Sequence, residues 1–360
     1  LTVTEGGYYM NSASKDFNID HPDIRKDIEN PSSPRTVFGV MVEALRLRRQ
    51  LGYGPVTGLC CDNLEKNGVV LHRAVTKLAE QIDPDLAQWI SENCSFPCSM
   101  VDCIVPSTGP YELELVRQYS LNDKVPVTHE NFRQWVIEDD FCAGRPDLEK
   151  VGVIFTKKVH YYETMKIRLL NGGHQIIANV GELLSLVTIS DCMQDTRIAS
   201  LFVKILSEEI APHLVSVPDK TPVEYIELIQ KRFSNPTVVD TTRRVAFDGS
   251  SRHSGFLVPS INTAMEAGSS ISGLALAEAI WARMCEGTRE DGSKIEPNDP
   301  NWSDLERTAM VAKEKPSAWL DQRQYYGDLN SNKIFSDTFA NWLRKIWNSG
   351  VEAAIEEYLR

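Results

Sequence analysis

Near residue 160 the spacing of apolar residues in this chain changes character, and that change limits the folds open to it. Ahead of it, short β-rich runs alternate with helical stretches. "LTVT" at the start and "VTGLCC" at 56–61 read as buried strands, and "VGVIF" at 151–155 as another. "SSPRTVFGVMVEALRLRRQLG" reads as a helix, with Ser33 as N-cap, Pro34 in the first turn and Gly52 just past the end. Val37, Met41, Ala44 and Leu45 make its apolar face. Helices are also predicted over 67–82, over 84–93 and in "NFRQWVIEDDF", with loops around a short strand in "CSFPCSMVDCIVPSTGPYE". Alternating strands and helices imply an α/β fold with an open, largely parallel sheet. Beyond residue 160 only helical periods remain, as in "ASLFVKILSEEIAPHL", "TPVEYIELIQKRFSN", "SGLALAEAIWARMCEG" and "SDTFANWLRKIWNSG". Thr221-Pro222 with Glu224 marks a helix start. The expected organisation is an α/β domain over 1–157 followed by an all-α domain over 158–360.

Charge and composition remove several functions from consideration. The net charge of −12 repels nucleic acid and anionic membrane surfaces, so neither is an expected partner. The basic cluster "LRLRRQ" alternates with leucines and reads as a solvated helix face. No apolar run approaches the ~20 residues that cross a bilayer, and the start lacks a signal-peptide pattern. Eight cysteines are too few for a disulfide scaffold and lack zinc-ligand spacing. Free thiols in a reducing, cytoplasmic setting are expected, with no metal.

The stretch "YETMKIRLLNGGHQ" carries the most chemistry. At ~100° per residue, Lys166, Asn171 and His174 share a sector of roughly 140° on a helix, and Gly172-Gly173 would let a ligand approach the backbone. A lysine withdrawn from water can lose its proton near neutrality and act as a base. Asn171 could donate to a developing alkoxide, and His174 could orient a hydroxyl. A solvated helix face explains the three residues by spacing alone at least as well. Asn63 and Glu5 each close a predicted strand, where α/β sheets bind ligands. Each also fits a simple loop position.

"LTVTEGGYY", "CDNLEKNG", "SFPCSMVDCIVP", "FRQWVIEDDFCAGRPDLEKVG", "KIRLLNGGH" and "RFSNP" with "DGSS" occur in this order, and the series resembles the polyol-specific long-chain dehydrogenases, the mannitol 2-dehydrogenase and fructuronate reductase family. The resemblance covers essentially the whole chain. It implies a Rossmann-type domain followed by a mostly helical one, with the active site between them. It also implies metal-independent hydride transfer between NAD or NADP and a linear polyol or its ketose. By position, Lys166 matches the general base, Asn63 and Asn171 the amides flanking the reacting oxygen, and His174 the orienting imidazole. Asp102 and Arg244 match substrate ligands, Glu5 a glutamate near the nicotinamide, and Glu163 one that governs proton exchange with solvent.

Three positions depart from the family pattern: Cys103 replaces an arginine, Gln175 a serine, and "THENF" a C-E-P-F pattern in which Glu130 and Phe132 keep their places. The family's glycine-rich phosphate loop would lie upstream of "LTVTE". The sequence is therefore expected to be the C-terminal portion of a longer enzyme, or to have an amino end that is not represented. Reduction of a keto-uronate such as fructuronate, with Arg244 or Arg252 meeting the carboxylate, is the alternative within the class. A non-catalytic sugar-binding module is the alternative outside it. A monomer or weak homo-oligomer acting on a small sugar alcohol or ketose is expected.

Overall fold

Helices whose apolar residues recur at three- and four-residue spacing bury one face and leave the other to water. A computed structural model describes residues 1–11 and 16–360, without the side chains of residues 5 and 6. The chain forms two compact units, Leu1–Cys103 with Arg133–Thr164, and Ile104–Phe132 with Met165–Arg360. The expected boundary at 157/158 thus differs from this division in two ways. The change of unit falls at Thr164/Met165, and the excursion Ile104–Phe132 counts with the helical unit.

In the first unit, helices run over Val37–Gln50, Asn67–Ile82 and Pro84–Asn93. The first starts later than expected. Its N-cap is Thr36 rather than Ser33, and the Thr36 hydroxyl accepts the Gly39 amide at 3.1 Å. That start rotates the buried face onto Phe38, Val42 and Leu45, while Val37 is exposed. Leu71, Val75, Leu78 and Ile90 complete this core.

The sheet is mixed rather than largely parallel. Strand β1 (Ser99–Asp102) pairs antiparallel with β2 (Gln134–Ile137), and β2 pairs parallel with β3 (Ile154–Phe155). Strand β2 lies inside "NFRQWVIEDDF", which helical spacing had assigned to a helix. Trp135, Val136 and Ile137 favour the extended backbone, and four residues are too few for a period to decide. "LTVT" and 56–61 do not become strands. The Leu1 nitrogen donates to the Leu59 carbonyl at 2.8 Å, and the Cys61 amide to the Leu1 carbonyl at 2.9 Å. The Asp62 carboxylate then takes the amides of Val3 and Thr4, and Thr4 leaves the extended region at φ 72°.

The second unit is helical. Ser272–Met284 is buried on every side and packs against the run Lys333–Leu359, which breaks at Gly350 (φ 85°). Pro222–Phe233 starts with the expected capping box between Thr221 and Glu224. Three turns widen to π geometry: Lys166–Asn171, Leu206–Ile210 and His253–Leu257. The first of these packs against both of the others. All eight cysteines are free thiols.

Candidate active site

Lys166 opens the π turn and Asn171 closes it, and His174 follows in the first turn of the Gly172–Leu183 helix. A π turn bonds i to i+5 and is wider than an α turn. Residues five apart therefore come round closer to one side than the 100° spacing of an α-helix would bring them. Lys166 is 7% exposed, so the solvated-face reading does not hold for it.

The two glycines do not open the backbone to a ligand. A Cβ on Gly173 would lie 2.5 Å from Phe202 Cε2, and one on Gly172 would lie 3.2 Å from Leu257 Cδ2. Their bareness admits neighbouring side chains. Gly173→Ala should accordingly cost about 1–3 kcal/mol of unfolding free energy through overpacking, read from chemical denaturation. A change within about 0.5 kcal/mol would show that Phe202 can step aside.

Phe202 packs on Phe233 at 5.7 Å between ring centroids, and Phe233 lies flat on the His174 ring at 4.0 Å and 8°. Burial, then the positive charges of Arg244, Arg232, Arg252 and Lys166, hold the His174 imidazole well below the ordinary histidine pKa. It is therefore neutral, with one ring nitrogen donating and one accepting. His174 Nε2 and Asn171 Oδ1 are both buried with no hydrogen-bond partner among the described residues. Native proteins rarely leave such atoms unmet unless a ligand or water completes them. The Asn171 amide can turn over at no cost in shape, so the position offers either N–H or C=O.

Two of the basic groups near His174 are themselves held by carboxylates. Arg244 bonds Asp240 through Nε at 2.6 Å and again through Nη2. Arg232 bonds Glu130 through Nη2 at 2.6 Å and through Nε at 3.0 Å. Arg252 Nη1 and Gln175 Nε2 both donate to the Val245 carbonyl, at 2.7 and 3.0 Å, next to Arg244 in sequence. Lys166, Asn171, His174, Arg244 and Arg252 thus all belong to the helical unit. Arg232, Phe233 and Glu130 were missed as parts of this neighbourhood. The only signal for them was their presence in "RFSNP" and "THENF".

The remaining candidates, Glu5, Asn63, Asp102 and Glu163, belong to the sheet-bearing unit. Asn63 is exposed on the turn after Asp62, and Asp102 is 2% exposed at the end of β1. The side chain of Asn67 ties the two together. Its Nδ2 donates to the carbonyls of Asp62 and Ser99 at 3.0 and 2.8 Å, and its Oδ1 accepts the Ser99 amide at 3.0 Å. The Asp62 carboxylate holds the opening segment through Val3, Thr4 and the Tyr8 hydroxyl, the last at 2.7 Å. Glu5 lies on the short helical turn Glu5–Tyr8, but its side chain is outside the described residues. Glu163, 4% exposed, grips the Lys66 amide at 3.0 and 3.1 Å.

A dinucleotide needs polar backbone or side-chain groups open to it. Asn63 is exposed, whereas Asp27 takes the amides of Arg35 and Thr36, and Glu163 takes that of Lys66, so these amides are not open to a pyrophosphate.

Comparison with known proteins identifies the family. The mannitol dehydrogenase Rossmann domain matches residues 1–150, and the mannitol dehydrogenase C-terminal domain matches 158–347. Mannitol 2-dehydrogenase of Cereibacter sphaeroides is 49% identical over all of this chain and 75% of its own length. D-mannonate oxidoreductase of Escherichia coli strain K12 is 41% identical over 85% of this chain and 63% of its own length. The structure of Pseudomonas fluorescens mannitol 2-dehydrogenase in ternary complex with NAD and D-mannitol superposes with a TM-score of 0.91 at 34% identity, over all of this chain and 73% of that one. The chain therefore pairs a Rossmann-type domain with a helical C-terminal domain, and it belongs to the mannitol dehydrogenase family.

Proposed function

We propose that the protein is an NAD(P)-dependent polyol dehydrogenase that interconverts a linear sugar alcohol of the mannitol type and its ketose. One observation carries the reading: Lys166 and Asn171 bound one widened turn and His174 follows in the next, with Asn171 Oδ1 and His174 Nε2 buried and unmet among the described residues. Residues 1–157 serve the cofactor and lend Asn63 and Asp102 to the substrate, and 158–360 supply the remaining substrate and catalytic groups. Bound NAD(P) supplies the hydride acceptor. Lys166 takes the proton of the reacting hydroxyl, and Asn171 and Asn63 donate to the oxygen as charge develops on it. Neutral His174 holds a neighbouring hydroxyl through Nε2. Asp102 and Arg244 bind further hydroxyls, Glu5 and Asn63 face the nicotinamide, and Glu163 passes the proton on towards solvent. No metal takes part in this scheme.

A second reading is favoured by the charge near His174. Arg232, Arg244, Arg252 and Lys166 all act on that ring, and such a neighbourhood would also attract a substrate carboxylate. The D-mannonate oxidoreductase relative fits a keto-uronate substrate of this kind. A panel of mannitol, arabinitol, sorbitol and fructuronate with NAD(H) and NADP(H) separates the two. Mannitol or another neutral polyol is expected to give the highest kcat/KM. A preference for fructuronate would transfer the assignment to the second reading. No turnover of any of the four, with no nicotinamide binding by fluorescence, would leave a sugar-binding module.

A further inference from the structure

The stacked face of Phe233 has no part in the reaction scheme, yet it is the closest ring to His174. We propose that Phe233 is a positioning residue that fixes the plane of the His174 imidazole, and with it the direction in which Nε2 meets a substrate hydroxyl. This rests on the dehydrogenase reading above.

The rings lie 4.0 Å apart and 8° from parallel, and Phe233 is 3% exposed. Rotation about the last side-chain torsion of a histidine is otherwise soft, because a terminal sp³–sp² torsion has broad wells. A flat neighbour removes that freedom. Phe233 is itself held from two directions. Behind it stands Phe202, inclined at 51° and admitted by the bare Gly173. Next to it in sequence, Arg232 is locked by its ion pair with Glu130, and both side chains are 4% exposed. The Arg232 guanidinium also lies 4.2 Å from the centre of the Phe132 ring. The face that His174 meets therefore has little room to slide.

A neutral imidazole suits this arrangement, and burial with the surrounding positive charge keeps it neutral. Orientation matters because Nε2 is a single directional acceptor or donor. A ring turned by a few tens of degrees aims it away from its partner.

The test compares Phe233→Leu, which keeps an apolar side chain without a flat face, with Phe233→Tyr, which keeps the ring. An aromatic contact of this kind corresponds to about a 2- to 12-fold effect. Phe233→Leu is therefore expected to raise KM for the polyol by that factor, with kcat within about 2-fold. Phe233→Tyr should restore KM. In the unmodified protein, NMR should show the His174 ring protons shifted upfield by the Phe233 ring current, assigned by comparison with His174→Gln. An unchanged KM in Phe233→Leu would overturn the proposal. So would equal losses in the Leu and Tyr variants, which would indicate packing alone. Should Phe233→Leu not fold, His174 ring protons at ordinary positions in the unmodified protein would overturn it as well. Turnover by the unmodified protein serves as the control. If it oxidises none of the polyols, the dehydrogenase reading fails while the ring-current shift still tests the stack; if it turns over and KM does not respond to Phe233→Leu, only the positioning role fails.

Discussion

Replacing Lys166 with alanine is expected to lower kcat for polyol oxidation by about 10²- to 10⁴-fold at neutral pH, the range in which a positioned general base operates. Lys166 is 7% exposed at the start of a π turn, on the same widened turn as Asn171. A small primary amine such as methylamine should restore part of the lost rate, because it can occupy the space of the missing side chain. Lys166→Arg should not restore the rate, since a guanidinium keeps its proton throughout the accessible pH range. Alanine-variant kinetics within about 3-fold of the parent would remove Lys166 from the base role.

The second large effect concerns stability. Glu130→Ala is expected to reduce the free energy of unfolding by about 3–5 kcal/mol, because it leaves the Arg232 guanidinium buried without its carboxylate. Arg232 and Glu130 are each 4% exposed, and Glu130 also accepts the Ile104 amide at 2.6 Å. The excursion Ile104–Phe132 is thus fastened at both of its ends by one side chain. Replacing both partners, as in Glu130→Leu with Arg232→Met, should recover much of the loss, because no uncompensated charge then remains. Urea denaturation followed by fluorescence reads the difference. A loss below about 1 kcal/mol for the single variant would mean that water reaches the guanidinium.

The helices were largely legible because their signals are local. The capping box at Thr221 and Glu224, and the periods over 67–82 and 84–93, lie within a few residues of the structure they specify. Strand β2 was not legible, since its identity depends on pairing with β1 some 35 positions earlier in the chain. The opening segment read as a strand, yet Asp62 and the positive φ of Thr4 end its pairing after two backbone bonds.

At the candidate site the pattern was similar. Lys166, Asn171 and His174 could be named from their spacing and family resemblance, but the reason for the two glycines could not. Gly173 answers to Phe202, which lies beyond the reach of any local pattern. The seat of His174 depends on Phe233 and on a Glu130–Arg232 pair 102 residues apart. Such contacts exist only once the chain has folded.

The widened turn at Lys166–Asn171 also bears on how this stretch can vary. A π turn behaves as an α-helix carrying one surplus residue, tolerated at some cost in backbone hydrogen bonding. Excising a single position there would let the backbone relax into regular α geometry while swinging the amine and the carboxamide out of alignment. Under the roles proposed for Lys166 and Asn171, length matters here as residue identity does: a chain shorter by one would make a better helix and a poorer catalyst.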